Sequence, residues 1–172
     1  QKVIRCVGEP NERFTEDPLR MLRACRFASQ LDFEIHSLTL EAVAIKADLI
    51  RHVSRERIVD EFNKLLVTNS ARGIEAAIQT GLLDEIFESK SSCRSYFKER
   101  PFIMKASCSI GERWYLLIDW AMKAHDRGSL ESNLNQVLTK FPLANRERDL
   151  ICSLFDSQKM VTTISQDISP LT

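Results

Sequence analysis

The sequence predicts an all-α, multi-helical protein with one short N-terminal strand or extended arm. Five glycines and five prolines in 172 residues leave room for few turns. Hydrophobic residues make up 44% of the chain and recur at helical spacing through most of it, which is enough to build a core. Only the first few residues alternate in the manner of a strand.

The opening segment QKVIRCVGEP is the one predicted strand. Side chains alternate from Val3 to Val7, and the pattern stops at Gly8 and Pro10. No second strand is indicated in the rest of the chain. Because a lone strand is unstable, we expect either an edge strand whose sheet lies outside the chain or an extended arm.

The helices that follow are bounded by capping and stop signals. Ser37, Ser54 and Asn145 are favourable N-caps, whereas Gly81 and Gly128 end helices. The predicted helices are Pro18–Leu31, Ser37–Lys46, Ser54–Thr68, Ala71–Gly81, Arg113–Ala124, Leu130–Lys140 and Asn145–Phe155. The polar stretch ESKSSCRSYFKERP, Glu88–Pro101, is predicted to be a hinge between two helical lobes, residues 1–90 and 91–172.

Charge and cysteine content limit the classes of function. The 24 basic residues balance the 24 acidic ones, so any nucleic-acid surface must be local. No apolar run approaches the length of a membrane span, and no membrane partner is expected. The five cysteines (Cys6, Cys25, Cys93, Cys108 and Cys152) are scattered, which predicts a cytoplasmic protein without a disulfide framework or zinc site.

The helix Pro18–Leu31 carries a stripe of arginines on an otherwise apolar surface. Arg20, Arg23 and Arg26 follow at every third position and drift by about 60° at each step. Nearly all the other positions are apolar, so we expect the helix to be enclosed by protein. Buried guanidinium groups need anionic or acceptor-rich partners.

The sequence does not decide which groups pair with these arginines. Glu16 and Asp17 precede Arg20 by four and three positions and can pair with it. For Arg23 and Arg26 there are two alternatives, namely acids of another helix and a bound anion. The candidate acids are Asp60 and Glu61.

Asp17 has two possible roles. The residue before a proline avoids helical angles, so Asp17 is a natural N-cap. Alternatively, Asp17 and Arg20 lie one turn apart and can read a nucleobase, since a carboxylate accepts from an amino group and a guanidinium donates to a ring nitrogen. Cytosine and adenine offer that pattern, whereas uracil and guanine reverse it. Arg23 and Arg26 would then hold phosphates.

The segment IRCVGEPNERFTEDPLRMLRACRFASQL closely resembles the neck signature of the class II tRNA nucleotidyltransferase and bacterial poly(A) polymerase family. That signature contains a Glu-Asp-x-x-Arg motif, here Glu16, Asp17 and Arg20. The resemblance continues through LDFEIHSLTLEAV and VSRERIVDEFNKLL to GIEAAIQTGLLDEIF, and so spans Val3 to Phe87. Weaker similarity resumes at FPLANRERDLI, which looks like the start of the family's body domain.

The resemblance implies that the two lobes have different roles. Residues 1–90 would be a neck that recognises the nucleotide base and RNA, and residues 91–172 a helical body on the RNA-binding side. The implied nucleotide-binding residues are Asp17 and Arg20, as an amino-acid template for the base of CTP or ATP, with Arg23 and Arg26 completing the pocket. The implied supporting residues are Glu16, Arg57 and Glu61. Arg57 belongs to the segment SRERI, Ser54–Ile58, and the residues of this segment together with Glu61 would brace the neck.

The family's catalytic head carries a Gly-Ser turn followed by paired aspartates that bind Mg²⁺. Here the only Gly-Ser pair, Gly128-Ser129, follows a helix. We therefore expect a neck and body without the head, no catalytic or metal-binding residue, and no nucleotide transfer by the chain alone. Mg²⁺ would belong to the parent enzyme, whose implied partners are the head domain, CTP, ATP and the 3′ end of a tRNA or another RNA.

The residues leave alternative functions open. Within the family, CCA addition, partial addition and poly(A) synthesis are not separated by these residues. A non-catalytic RNA-binding module and a plain helical interaction domain are the alternatives outside it. His125-Asp126 lacks further ligands at metal-binding spacing, and the apolar neighbours of Cys25 indicate a buried structural thiol.

Overall fold

The computed structural model describes residues 2–68, 70–88, 108–124 and 130–167. In chain order the elements are β1 (Val3–Ile4), α1 (Pro10–Glu16), α2 (Leu19–Leu31), β2 (Glu34–Ile35), α3 (Ser37–Lys46), the 3-10 helix η1 (Ala47–His52), α4 (Arg55–Leu66), α5 (Arg72–Gln79), α6 (Leu82–Phe87), α7 (Ile110–Ala124), α8 (Leu130–Lys140) and α9 (Asn145–Asp167). The predicted helical class is confirmed. Apart from Glu88, the predicted hinge Glu88–Pro101 lies outside the described residues, as do His125-Asp126 and Gly128.

The N-terminal strand has a partner within the chain, so the prediction of an unpaired strand or arm is wrong. β1 pairs in parallel with β2, with Val3 opposite Glu34 and Ile4 opposite Ile35. The amide of His36 donates to the carbonyl of Ile4 at 2.9 Å. Helices α1 and α2 form the crossover that parallel strands require. β2 was not predicted because two residues are too few to show alternation.

The structure also differs from the prediction at two helix starts, since α1 is not predicted and the N-cap of α3 lies one residue earlier than expected. α1 begins with Pro10 at a position that favours proline, but Phe14 is its one buried residue, so no apolar stripe marks it. Ser37, predicted as an N-cap, is instead the first residue of α3, and His36 takes the cap position. Helix ends commonly shift by a residue in this way.

Large aromatic side chains join the helices before and after the undescribed segment into one core. The ring of Trp114 in α7 packs on Phe62 of α4, with centroids 5.5 Å apart, and its Nε1 donates to Asn63 Oδ1 at 2.7 Å. Phe141 packs on Phe87 with centroids 5.0 Å apart. Burial of side chains this size is the main stabilising contribution to such a core. This core supports α4, and α4 in turn supports α2.

Glu88 connects the end of α6 to helices on both sides. Its Oε1 accepts a hydrogen bond from Arg55 Nη2 at 2.6 Å, and its Oε2 accepts one from Lys140 Nζ at 2.5 Å. The hydrogen bond from Lys140 is the largest influence on this carboxyl and lowers its pKa, and burial acts in the opposite direction. Glu88 therefore favours the folded state only while it is ionised.

We expect the contribution of Glu88 to stability to depend on pH. A carboxyl whose folded pKa is lowered stabilises the protein above its unfolded pKa of about 4.5, and this stabilisation is lost as the pH falls through the folded pKa. In thermal melts from about pH 7 to about pH 3, the difference between wild type and Glu88→Gln should therefore shrink at the acid end. Glu41→Gln, on the exposed side of α3, is the matched control. A difference that is constant with pH would contradict this prediction.

Candidate nucleotide-binding site

Asp17 lies in the turn between α1 and α2. Its Oδ1 accepts a hydrogen bond from the amide of Leu19 at 3.3 Å, so the side chain does contact a first-turn amide, although Pro18 takes the cap position. Arg57 Nη2, on α4, lies 3.2 Å from Oδ1 and 3.3 Å from Oδ2 of the same carboxylate. Asp17 is therefore held from two sides, by the helix that it precedes and by the neighbouring helix.

Arg20 is the second residue of α2 and is held by α1. Its Nη1 donates to Glu16 Oε2 at 2.7 Å and to the carbonyl of Arg13 at 3.0 Å. The hydrogen bond from Arg20 is the largest cause of a lowered pKa at Glu16. A guanidinium has five N–H donors and a carboxylate has about four acceptor sites, so Asp17 and Arg20 both keep capacity for a ligand.

Glu61 of α4 supplies the acid that the arginine stripe lacks. The carboxylate is buried, with Oε2 2.9 Å from Arg26 Nε and Oε1 3.5 Å from Arg23 Nε. The N–H of Arg26 is not aligned with Oε2, so this contact is an ion pair rather than a directed hydrogen bond. Of the two alternatives left open by the sequence, the structure shows the acid of another helix.

The two arginines next to Glu61 differ in how enclosed they are. Arg26 is 17% exposed, and its guanidinium lies over the ring of Phe27, 4.2 Å from the centroid. Arg23 is 46% exposed, and its contact to Glu61 is the longer of the two. Asp60, the other candidate acid, binds Lys64 at 2.5 Å instead. Arg23 is thus the more accessible of the two cations.

Helix α2 is enclosed on one side only, which corrects the prediction that protein surrounds it. Met21, Leu22 and Cys25 are fully buried against α4 and α5, but Phe27 is 40% exposed and Leu31 is 49% exposed. The solvent-facing side of α2, called here its outward line, therefore carries arginines in its first part and the exposed apolar side chains of Phe27 and Leu31 in its last part. The helical spacing was read correctly, but spacing alone does not reveal which apolar side is left uncovered.

The SRERI segment at the start of α4 contributes support. Ser54 takes the N-cap position without a side-chain hydrogen bond, and Ile58 points into the core. Arg55 donates to the carbonyl of Ile86 at 2.7 Å, a brace that the sequence did not reveal because the acceptor is a distant backbone atom. Arg57 directly contacts Asp17, whereas the sequence suggested only general bracing.

Neither a metal centre nor a membrane span is found in the part of the chain that the structure describes. Over residues 2–68, 70–88, 108–124 and 130–167, no three His, Cys, Asp or Glu side chains are grouped so that they could hold a metal ion. These residues do not fit a Mg²⁺ site, so we assign no step to a metal here. No helix in the same ranges has the length and apolarity needed to cross a membrane.

Cys25 lies in the core beneath the arginine stripe. Burial raises the pKa of its thiol to about 12, so almost none of it is thiolate at neutral pH. We expect Cys25 to react with a thiol reagent such as DTNB only after unfolding, whereas the partly exposed Cys6 and Cys152 react in the native state. Mass mapping of labelled peptides would check this. Native labelling of Cys25 at the rate of Cys6 would show that the core opens there.

Comparisons with known proteins find relatives of this chain. The family described as "Probable RNA and SrmB- binding site of polymerase A" matches residues 32–92. The CCA-adding enzyme of Bacillus velezensis is 41% identical over 119 residues, which cover 69% of this chain and 30% of that protein. The CCA-adding enzyme of Bacillus subtilis is 52% identical over 87 residues, covering 50% and 22% of the two chains.

Solved structures show the same arrangement of helices. The crystal structure of the Bacillus stearothermophilus CCA-adding enzyme in complex with CTP is 29% identical, covers 91% of this chain and 38% of its own, and has a TM-score of 0.64. The Thermotoga maritima CCA-adding enzyme complexed with tRNA is 18% identical, with 97% and 42% covered and a TM-score of 0.63, and shows the shared fold alone.

The chain spans well under half the length of these relatives, from 22% to 42% in the four comparisons. The family model matches residues 32–92, which begin after α2 and so do not include Asp17 or Arg20. The chain belongs to the CCA-adding enzyme and poly(A) polymerase family, in which it corresponds to the neck and body region.

Proposed function

We propose that this chain is the neck and body of a template-independent tRNA nucleotidyltransferase of the CCA-adding kind. Residues 1–90 act as the neck and residues 91–172 as the body. The neck selects the incoming CTP or ATP, and the two parts help to hold the tRNA acceptor end. Transfer itself, with its Mg²⁺ ions, belongs to a catalytic head of the complete enzyme, so the chain alone transfers no nucleotide.

The observation that carries the proposal is the separate anchoring of Asp17 and Arg20. Arg57 contacts both oxygens of Asp17, and Glu16 accepts from Nη1 of Arg20. Each template side chain is therefore oriented by its own partner and does not depend on the other. Fixed orientation reduces the entropy lost when a base binds, because fewer rotamers must be frozen.

Base selection follows from the hydrogen-bonding groups of the two side chains. The amino group of cytosine or adenine donates to the Asp17 carboxylate, and the adjacent ring nitrogen accepts from Arg20. Uracil and guanine present a carbonyl to the carboxylate and an N–H to the guanidinium, so both pairs clash and stay unpaired. The related Bacillus stearothermophilus enzyme was crystallised in complex with CTP, which supports CTP as a ligand of the complete enzyme proposed here.

Arg23 and Arg26 supply positive charge farther along α2. Arg23 is the more exposed cation and has N–H groups to spare for a triphosphate oxygen. Arg26 contributes charge from a more enclosed position, fixed by Glu61 and Phe27. Glu61 keeps the pair in place while neutralising only one of the two charges.

A ligand panel tests the proposed function and its competitors. The melting temperature of the chain should rise with CTP and ATP and change little with UTP or GTP, because binding to the folded state alone raises stability. Equal shifts from all four triphosphates would rule out base selection. A shift with tRNA but with no nucleotide would indicate a non-catalytic RNA-binding module, and no shift with either would indicate a plain interaction domain.

A poly(A) polymerase of the same family is the second candidate, because the description of the matching family segment names polymerase A. Asp17 and Arg20 would accept adenine in either enzyme. The complete protein, given a tRNA that lacks its CCA end, should incorporate both CMP and AMP if it is a CCA-adding enzyme. Incorporation of AMP alone, on any RNA 3′ end, would favour poly(A) synthesis.

A further inference from the structure

Phe27 is a partly exposed aromatic residue of α2 that follows directly after the last of its three arginines. The residue is 40% exposed, and the guanidinium of Arg26 lies over its ring at 4.2 Å from the centroid. Arg26 is in turn held by Glu61 and by Gln30, whose Oε1 lies 3.4 Å from Arg26 Nη1. The ring is therefore supported on one side by a fixed cation, while much of its remaining surface is open.

The surroundings of the ring are positive. Arg23 precedes Phe27 by one helical turn and is 46% exposed. Lys64 lies on the adjacent helix α4 and is half-exposed, with Asp60 at 2.5 Å and Glu61 at 3.4 Å as its acidic partners. Glu61, the acid shared by the arginines, is buried, so its charge is covered. An aromatic surface edged by guanidinium groups complements a base with its phosphate better than it complements an apolar protein surface.

The position of Phe27 relative to the template residues is set by the helix. Phe27 follows Arg20 by seven positions, which places the two about 10 Å apart along α2 on the same outward line. Consecutive bases of a stacked strand are about 3.4 Å apart. A base on Phe27 would thus belong to a nucleotide a few steps from the base read by Asp17 and Arg20.

We propose that Phe27 is a stacking platform for a base of a bound single-stranded RNA, with Arg23 contacting the adjoining backbone. The identification of that strand as the RNA 3′ end rests on the function proposed above. Stacking tolerates any base, so Phe27 contributes affinity without selecting sequence. It differs in this from Asp17 and Arg20, which select a base.

Two probes separate stacking from phosphate contact. Fluorescence anisotropy would compare the chain's affinity for a labelled single-stranded oligoadenylate and for an abasic RNA of equal length. Phe27→Ala and Phe27→Leu should weaken oligoadenylate binding about five- to a hundredfold and leave abasic binding unchanged. Phe27→Tyr keeps the ring and should bind as wild type. Leu31→Ala, an exposed apolar residue on the same side, is the matched control and should have no effect.

Several results would contradict the proposal that Phe27 stacks on a base. Wild-type affinity in Phe27→Leu would show that apolar area suffices, and equal losses with both probes would show that no base is stacked. Unchanged RNA affinity together with altered self-association would make Phe27 a protein contact instead. The base-selection proposal fails by a different result. If Asp17 does not read a base, Asp17→Ala keeps the selectivity for CTP over UTP, and the effect of Phe27 variants on oligoadenylate binding is unaffected.

Discussion

Gly73→Ala should destabilise the protein by about 3 kcal/mol or more, because helices α2 and α5 touch at this glycine. A Cβ at position 73 would lie 2.0 Å from the carbonyl oxygen of Cys25 and 2.7 Å from its carbonyl carbon. The amide of Gly73 also donates to Ser29 Oγ at 2.8 Å. Alanine normally favours a helix over glycine by about 1 kcal/mol, but a clash with backbone cannot be relieved by rotating a side chain.

Gly111→Ala is the matched control in α7. There the new Cβ meets the Cδ2 end of Leu150 at 2.7 Å, and this atom belongs to a side chain that can move. We expect a change within about 1 kcal/mol for this variant. Urea unfolding of both variants would measure the free energies. Equal effects at the two glycines would contradict the close contact between α2 and α5.

Arg20→Ala and Arg23→Ala should have different effects on nucleotide use by the complete enzyme. Loss of Arg20 removes the donor to the ring nitrogen and leaves a polar edge unpaired, at about 1–3 kcal/mol, or about ten- to a hundredfold in selectivity. Arg23→Ala should instead weaken all four triphosphates about equally, because a phosphate contact carries no base information. Arg26→Ala should do the same and also lower stability, since Arg26 pairs with the buried Glu61.

The measurement is kcat/KM for CTP, ATP, UTP and GTP in each variant, taken with a tRNA acceptor. Arg51→Ala, on η1, is the charge control, because it removes one exposed cation that pairs with Glu85 and not with Glu61. If Arg23→Ala altered the ratio of CTP to UTP as strongly as Arg20→Ala, the division between base and phosphate contacts would be wrong.

The elements with strong local signals are the ones that the sequence predicts well. The bounds of Leu130–Lys140 agree with those observed, and apolar residues recur there at helical spacing. The bounds of Ser37–Lys46 also agree, although the exposed Leu38 and Ile45 show that its apolar residues do not share one side. β2 and α1 were missed for the opposite reason. β2 has two residues, and α1 buries a single side chain, Phe14, so neither leaves a periodic pattern.

For the candidate site, the sequence proposes residues but does not reveal how they pair. The Glu-Asp-x-x-Arg motif makes Asp17 and Arg20 candidates, and it leaves the partners of Arg23 and Arg26 open. Those partners depend on α4 running alongside α2 in the same direction, which brings Arg57 to Asp17 at one end and Glu61 to Arg26 farther along. Contacts between residues so far apart in sequence leave no local signal, so only the tertiary structure reveals them.

The central claim is that the carboxylate of Asp17 reads a base, although it also contacts the first turn of α2. The most direct measurement is the ratio of kcat/KM for CTP to that for UTP in the complete enzyme carrying Asp17→Ala, together with its melting temperature. The account predicts that this ratio falls about ten- to a hundredfold, while binding of the triphosphate persists through the arginines. A lowered melting temperature with the selectivity ratio unchanged would show that Asp17 only caps the helix, and would contradict the claim.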